Sequence, residues 1–83
     1  MKNEKIMKEN VKIMETIHEL LTTNDKMYVL CWVGFDNKIC WLSSTDKKYI
    51  ESIEIDSDLV FDAMDAKMFG EKAFVNYALD VLM

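Results

Sequence analysis

Apolar positions in the first quarter of the chain recur with helical spacing. Ile6, Ile13, Ile17 and Leu20, with Met7, Val11, Met14 and Leu21 beside them, form a broad stripe that predicts a helix over residues 3–23. Asn3 is placed to cap its start, and Thr22-Thr23-Asn24-Asp25 ends it with residues that prefer turns. The stripe is wide enough to cover one face of a sheet, or to pair with its twin in a second subunit.

The period then changes. Tyr28 to Phe35 is rich in aromatic and β-branched side chains, and Ile39-Cys40-Trp41-Leu42 continues that composition after Asp36-Asn37. Two strands joined by Asp36-Asn37 as a two-residue turn make a hairpin. Pairing Phe35 with Lys38 sets Val33 against Cys40, Trp32 against Trp41 and Cys31 against Leu42. Both tryptophans then share a face with Leu30, Gly34 and Ile39, and Val29, Cys31, Val33, Cys40 and Leu42 share the other. Both faces are apolar, so both require cover.

Lys47 to Ile55 reads two ways. Three isoleucines and Tyr49 favour a third strand, whereas Thr45 or Asp46 could start a helix that clusters Tyr49, Ile50 and Ile53. Asp56-Ser57-Asp58 supplies cap-forming side chains for a short helix over 58–68, with Leu59, Phe61, Ala63, Met64 and Met68 available for packing. Gly70 fits a helix C-cap. Residues 71–82 predict a last helix with Ala73, Phe74, Tyr77, Ala78, Val81 and Leu82 inward and Glu71, Lys72, Asn76 and Asp80 outward. The expected fold class is α+β: an α-β-β-β-α-α order, with a small three-stranded antiparallel sheet packed with flanking helices.

Length and charge sharpen this picture. The chain has 83 residues and no proline, and neither glycine lies in a flexible tract, so residues 1–83 are expected to form a single domain. The longest apolar run, Met27 to Phe35, is far shorter than the roughly 20 residues a membrane-spanning helix needs. No apolar leader block opens the chain, and a cytoplasmic protein with reduced cysteines is expected. On the hairpin register above, Cys31 and Cys40 are diagonal neighbours, close enough for a disulfide to be conceivable. The net charge of −5 divides unevenly: residues 1–50 carry eight lysines and seven acids, and residues 51–83 carry two lysines and eight acids. All the basic residues are lysine, which argues against direct nucleic-acid binding, where the guanidinium fork is favoured.

Candidate chemistry is sparse. Asp56-Ser57-Asp58 opens like a calcium loop, but Phe61 stands where that loop needs glycine and Lys67 where it needs glutamate. His18, the only histidine, has no nucleophile motif or metal-ligand spacing around it. No metal site, cofactor or catalytic residue is expected, and the chain is read as non-enzymatic. Trp32 and Trp41 suit a core better than a nucleic-acid stacking platform, which would sit in a basic groove. The remaining feature is acidic. Glu51, Glu54, Asp56, Asp58, Asp62 and Asp65 fall within one stretch containing no lysine, an array able to meet a basic surface as a phosphate backbone would.

In size, acidity and element order the chain resembles small phage-encoded inhibitors, including some anti-CRISPR proteins that occupy the DNA-binding surface of a nuclease. The resemblance implies a protein-binding module that covers the basic surface of a nucleic-acid-binding enzyme in the host cytoplasm, with no membrane contact. The alternative expectation is a homodimer or larger structural assembly built on the apolar stripe of the first helix.

Overall fold

The computed structural model describes residues 2–53 and 59–82. Its fold is α+β, with a three-stranded antiparallel sheet and helices before and after it. Helix α1 (Lys2–Thr23) leads into strands β1 (Tyr28–Val33) and β2 (Ile39–Ser44). A short helix α2 (Lys47–Glu51) precedes β3 (Val60–Asp62), and α3 (Ala63–Phe69) and α4 (Glu71–Leu82) complete the chain. The expected sequence of long helix, three strands and helices holds, with one five-residue helix inserted before the third strand.

Helix α1 starts ahead of Asn3, so Asn3 lies inside the first turn and is not its cap. Its end is closed by side chains. Thr23 Oγ1 donates to the Glu19 carbonyl at 2.9 Å and Asn24 Nδ2 to the Leu20 carbonyl at 2.8 Å, which occupies carbonyls the last turn would leave unpaired.

The hairpin forms where expected but one residue out of register. Gly34 N donates to the Lys38 carbonyl at 2.9 Å, Asn37 N donates to the Gly34 carbonyl at 3.0 Å, and Asn37 has φ 62°. The loop is therefore three residues, Phe35-Asp36-Asn37, a turn followed by one left-handed residue. A two-residue turn would need positive φ at Asp36 as well, and only Asn37 adopts it. Asp36 instead accepts from Lys38 N at 3.0 Å through Oδ1, which holds the longer loop.

The slip changes both faces. Cys31 pairs with Trp41, Trp32 with Cys40, and Val33 with Ile39. Alternation then puts Trp32 and Trp41 on opposite faces instead of on one, and it separates Cys31 from Cys40 likewise. Neither cysteine is in a disulfide.

Lys47–Glu51 is a helix and not a strand because Asp46 caps it. Asp46 Oδ1 accepts from Lys48 N at 3.0 Å and Tyr49 N at 3.3 Å. The third strand is Val60–Asp62, inside the span expected to be helical, and it pairs antiparallel with Tyr28–Leu30 to give the order β2-β1-β3. Asp62 closes that strand and caps α3, its Oδ1 accepting from Asp65 N at 2.6 Å. The cap expected from Asp56-Ser57-Asp58 lies outside the described residues. Gly70, at φ 77°, ends α3 as expected.

One sheet face, with Val29, Cys31, Ile39, Trp41 and Phe61, packs into the main core with Met14, Ile17 and Leu21 of α1 and Phe74 and Ala78 of α4. Phe74 sits at its centre, edge-on to Phe61 at 4.7 Å between ring centroids. The other face carries Leu30, Trp32 and Leu42, and α2 lies across β1 and β2, with Ile50 fully buried. Cover on both faces was required, and it is unequal: three helices on one side, a single turn and a half on the other.

One buried polar side chain ties α1 to the hairpin. Asn10 is fully buried in the middle of the apolar stripe. Its Oδ1 accepts from Ile39 N at 2.8 Å and its Nδ2 donates to the Asn37 carbonyl at 3.0 Å. In an antiparallel pair, backbone N–H groups alternate between partner and outer edge, and that of Ile39 points outward from β2. The Asn10 amide thus does for the start of β2 what a neighbouring strand would do.

Candidate protein-docking face

The acidic stretch is divided by the fold. Glu54, Asp56 and Asp58 lie outside the described residues. Glu51 is exposed on α2 and faces Lys47 at 3.8 Å, an exposed ion pair that adds little stability. Asp62 is engaged as the α3 cap, and Asp65 stands half-buried in the first turn of α3, where the helix dipole favours a carboxylate. Asp62 and Asp65 are brought together, and Glu51 sits apart on α2.

The apolar surface is gathered more tightly than the acids. Among the described residues, eight large hydrophobic side chains are exposed, and five of them (Met64, Met68, Phe69, Tyr77 and Val81) belong to α3 and α4. Scattered single exposures are ordinary, whereas a concentration on two adjoining helices makes a candidate interaction surface. Phe69 and Tyr77 stack with centroids 5.0 Å apart and planes 17° apart, and each remains 42% exposed. Tyr77 also meets Phe61 edge-on at 6.2 Å, which anchors the stack to the core. Ala73 and Val81, one turn to either side of Tyr77, are exposed as well.

The inward face expected for the last helix is thus only partly inward. Phe74 and Ala78 are buried, and Ala73, Tyr77 and Val81 face out. Met64 and Met68, expected in the packing of α3, are 70% and 79% exposed. The signal was legible: of twelve residues in α4 only Glu71, Lys72, Asn76 and Asp80 are polar, an apolar arc wider than one core contact can cover. Carboxylates border this surface. Asp65 is one turn before Phe69 on α3, and Asp80 is one turn after Tyr77 on α4.

The other candidates carry less. Met14, Ile17 and Leu21, the centre of the α1 stripe proposed for self-association, are fully buried within the chain itself. Phe35 is fully exposed at the hairpin tip, a single residue. Among the described residues, no group of three or more His, Cys, Asp or Glu side chains is placed to hold a metal ion, and no helix is long and apolar enough to cross a membrane. His18 is buried with its ring 5.5 Å from that of Phe74, and its Nε2 has no hydrogen-bond partner among the described residues.

Burial pushes the Cys31 thiol up to about 12, which leaves it un-ionised and inert at neutral pH. Cys40 is only half-buried. Alkylation of the folded chain near neutral pH is expected to modify Cys40 alone, with Cys31 reacting only after denaturant is added. Mass spectrometry of the digested product checks this, and equal labelling of both would place Cys31 at the surface.

Comparison with protein-family models, with curated proteins and with solved structures finds no match for this chain.

Proposed function

We infer that this chain is a non-catalytic protein-binding module that docks through α3 and α4 onto a basic surface of a nucleic-acid-binding protein and occludes it. The observation that carries the reading is the Phe69–Tyr77 stack, held half in the open between Asp65 and Asp80. Rigid aromatics supply contact area at small entropic cost and form the centre of binding hot spots. A surrounding rim of carboxylates favours a positively charged partner and speeds encounter with it. The excess of eight acids over two lysines after residue 50 extends the same preference over the C-terminal part of the chain. Such a module regulates or inhibits by covering its target, in the manner of the phage-encoded inhibitors it resembles in size and acidity.

Asp62 should be left intact in any test, because removing its carboxylate uncaps α3. Asp65→Lys with Asp80→Lys reverses the rim while leaving that cap in place. The tagged chain, incubated with extract of the cells that express it, is expected to retain a partner in about 0.1 M salt and release most of it in about 0.5 M. The double variant should retain at least about tenfold less at the lower salt. Equal, salt-insensitive retention by both proteins would remove the acidic rim from the interface.

A further inference from the structure

The sheet is open along one edge. The order β2-β1-β3 makes β2 an outer strand. Lys38 is hydrogen-bonded to Gly34 across the hairpin, so alternation turns the backbone groups of Ile39, Trp41 and Ser43 away from β1. Asn10 takes the N–H of Ile39. Among the described residues no hydrogen bond reaches the outward N–H groups of Trp41 and Ser43. We propose that a second copy of this chain pairs here, β2 against β2 and antiparallel, about a twofold axis at Leu42. The pairing joins two three-stranded sheets into one. It involves neither α3 nor α4, so it stands or fails independently of the docking face.

An exposed edge is a template for another strand, and proteins blunt it with charge, proline or brevity. The opposite edge, β3, has three residues and ends in Asp62. β2 has six, Ile39–Ser44, with no charged residue and no proline. A second β2 fits this edge residue by residue. Pairing about Leu42 sets Trp41 opposite Ser43 twice, a large side chain against a small one, and each such pair exchanges two hydrogen bonds. Leu42 meets its own image as the close, non-hydrogen-bonded pair, on the side that α2 alone covers. Charge agrees with this register. The nearest charged residues to Leu42 in the chain are Lys38 before it and Asp46 after it, both exposed and equally distant. Antiparallel pairing brings Lys38 of each copy toward Asp46 of the other.

Asn10 selects the register. A twofold axis at Cys40 or Trp41 would need the N–H of Ile39, which the Asn10 amide already holds at 2.8 Å. An axis at Ser43 would need Thr45, where the chain has left the strand. Only the axis at Leu42 uses Trp41 and Ser43 and nothing beyond them. The contact is isologous and therefore closes at two copies, with no further edge of the same kind to extend it.

Sedimentation equilibrium of the chain alone tests the pairing. The mass is expected to rise from one chain at about 10 μM toward two at about 1 mM. Each copy carries a net charge of −5, so added salt should strengthen this association, the reverse of its effect on docking to a basic partner. Hydrogen exchange followed by two-dimensional NMR locates the contact. The amides of Trp41 and Ser43 should exchange at least about tenfold more slowly at the higher concentration, and that of Ile39, held by Asn10, should be slow at both. Ser43→Pro removes one outward donor and no bond of the β1–β2 ladder, a place where an edge strand tolerates proline. That variant should fold and remain one chain at about 1 mM. A wild-type chain that stays monomeric there, a dimer that leaves both amides fast, or a dimer undiminished by Ser43→Pro would overturn the proposal. The exchange measurement needs no substitution, so it decides the outcome if the proline variant does not fold.

Discussion

Replacing Asn10 with alanine is expected to destabilise the fold by about 2–4 kcal/mol, a large share of the total for a domain of this size. The side chain is fully buried, and it satisfies the outward N–H of Ile39 and the carbonyl of Asn37 at once. Without it the Ile39 N–H is left in an apolar setting, and an unsatisfied buried donor costs about 1–3 kcal/mol by itself. The rest is the small void under α1. Urea unfolding of the two proteins measures the difference. Asn10→Asp separates the two bonds: a carboxylate can still accept from Ile39, but it donates to Asn37 only when protonated. That variant should therefore lose less stability in acid than at neutral pH. An alanine variant within about 0.5 kcal/mol of wild type would mean that the bridge contributes nothing net.

The second large effect is alkaline. Burial raises the Cys31 thiol from its ordinary 9.0 to about 12. Between those values the unfolded chain releases a proton that the folded chain keeps, so stability is complete below pH 9 and falls as pH rises toward 12. The slope is about 1.4 kcal/mol per pH unit once well above the lower value, and the loss at pH 10 is about 1.4 kcal/mol. Three tyrosines and ten lysines also change charge in this range. They are common to wild type and Cys31→Val, so the comparison isolates the thiol. Cys31→Val should lose about 1.4 kcal/mol less than wild type between pH 8 and pH 10. Identical pH profiles for the two proteins would show that the thiol is solvated in the folded state.

Most of the architecture was legible in the sequence, for reasons that differ by element. The helical stripe from Ile6 to Leu21 and the aromatic and β-branched runs on either side of Asp36-Asn37 are strong periodic signals, and α1 and the hairpin follow from them. Gly70 marked the break between α3 and α4 because its backbone has the positive φ that glycine adopts cheaply. The register was not legible, because it turns on one residue: Asn37 takes the left-handed conformation and Asp36 does not. The exchange of β3 with α2 has a similar cause. Ile50, Ile53 and Ile55 have strand propensity, but the Asp46 cap decides the start of α2, and Val60–Asp62 is too short to show a period.

The candidate site was legible only in part. Charge counting points to the C-terminal acids, of which Asp65 lies one turn before Phe69 and Asp62 is engaged as the cap of the same helix. Periodicity alone assigns Tyr77 and Val81 to the inward face and gives Phe69 no role, although α4 has more apolar residues than one buried face can use. Asn10 carried a clear mark, a polar side chain in register with Ile6, Ile13 and Ile17 on an otherwise apolar stripe. Its meaning depends on the hairpin loop 27 residues later, which periodicity does not reveal.

Site-specific photo-crosslinking in the expressing cell tests the docking face most directly. A photo-reactive side chain is introduced at Ala73 or Val81, which flank the aromatic stack, and in parallel at Lys5 and Lys48, exposed on α1 and α2. The expected result is one covalent adduct with a basic protein from positions 73 and 81, and none from positions 5 and 48. An adduct from position 5 or 48 with none from 73 and 81 would put the interface elsewhere and contradict the assignment.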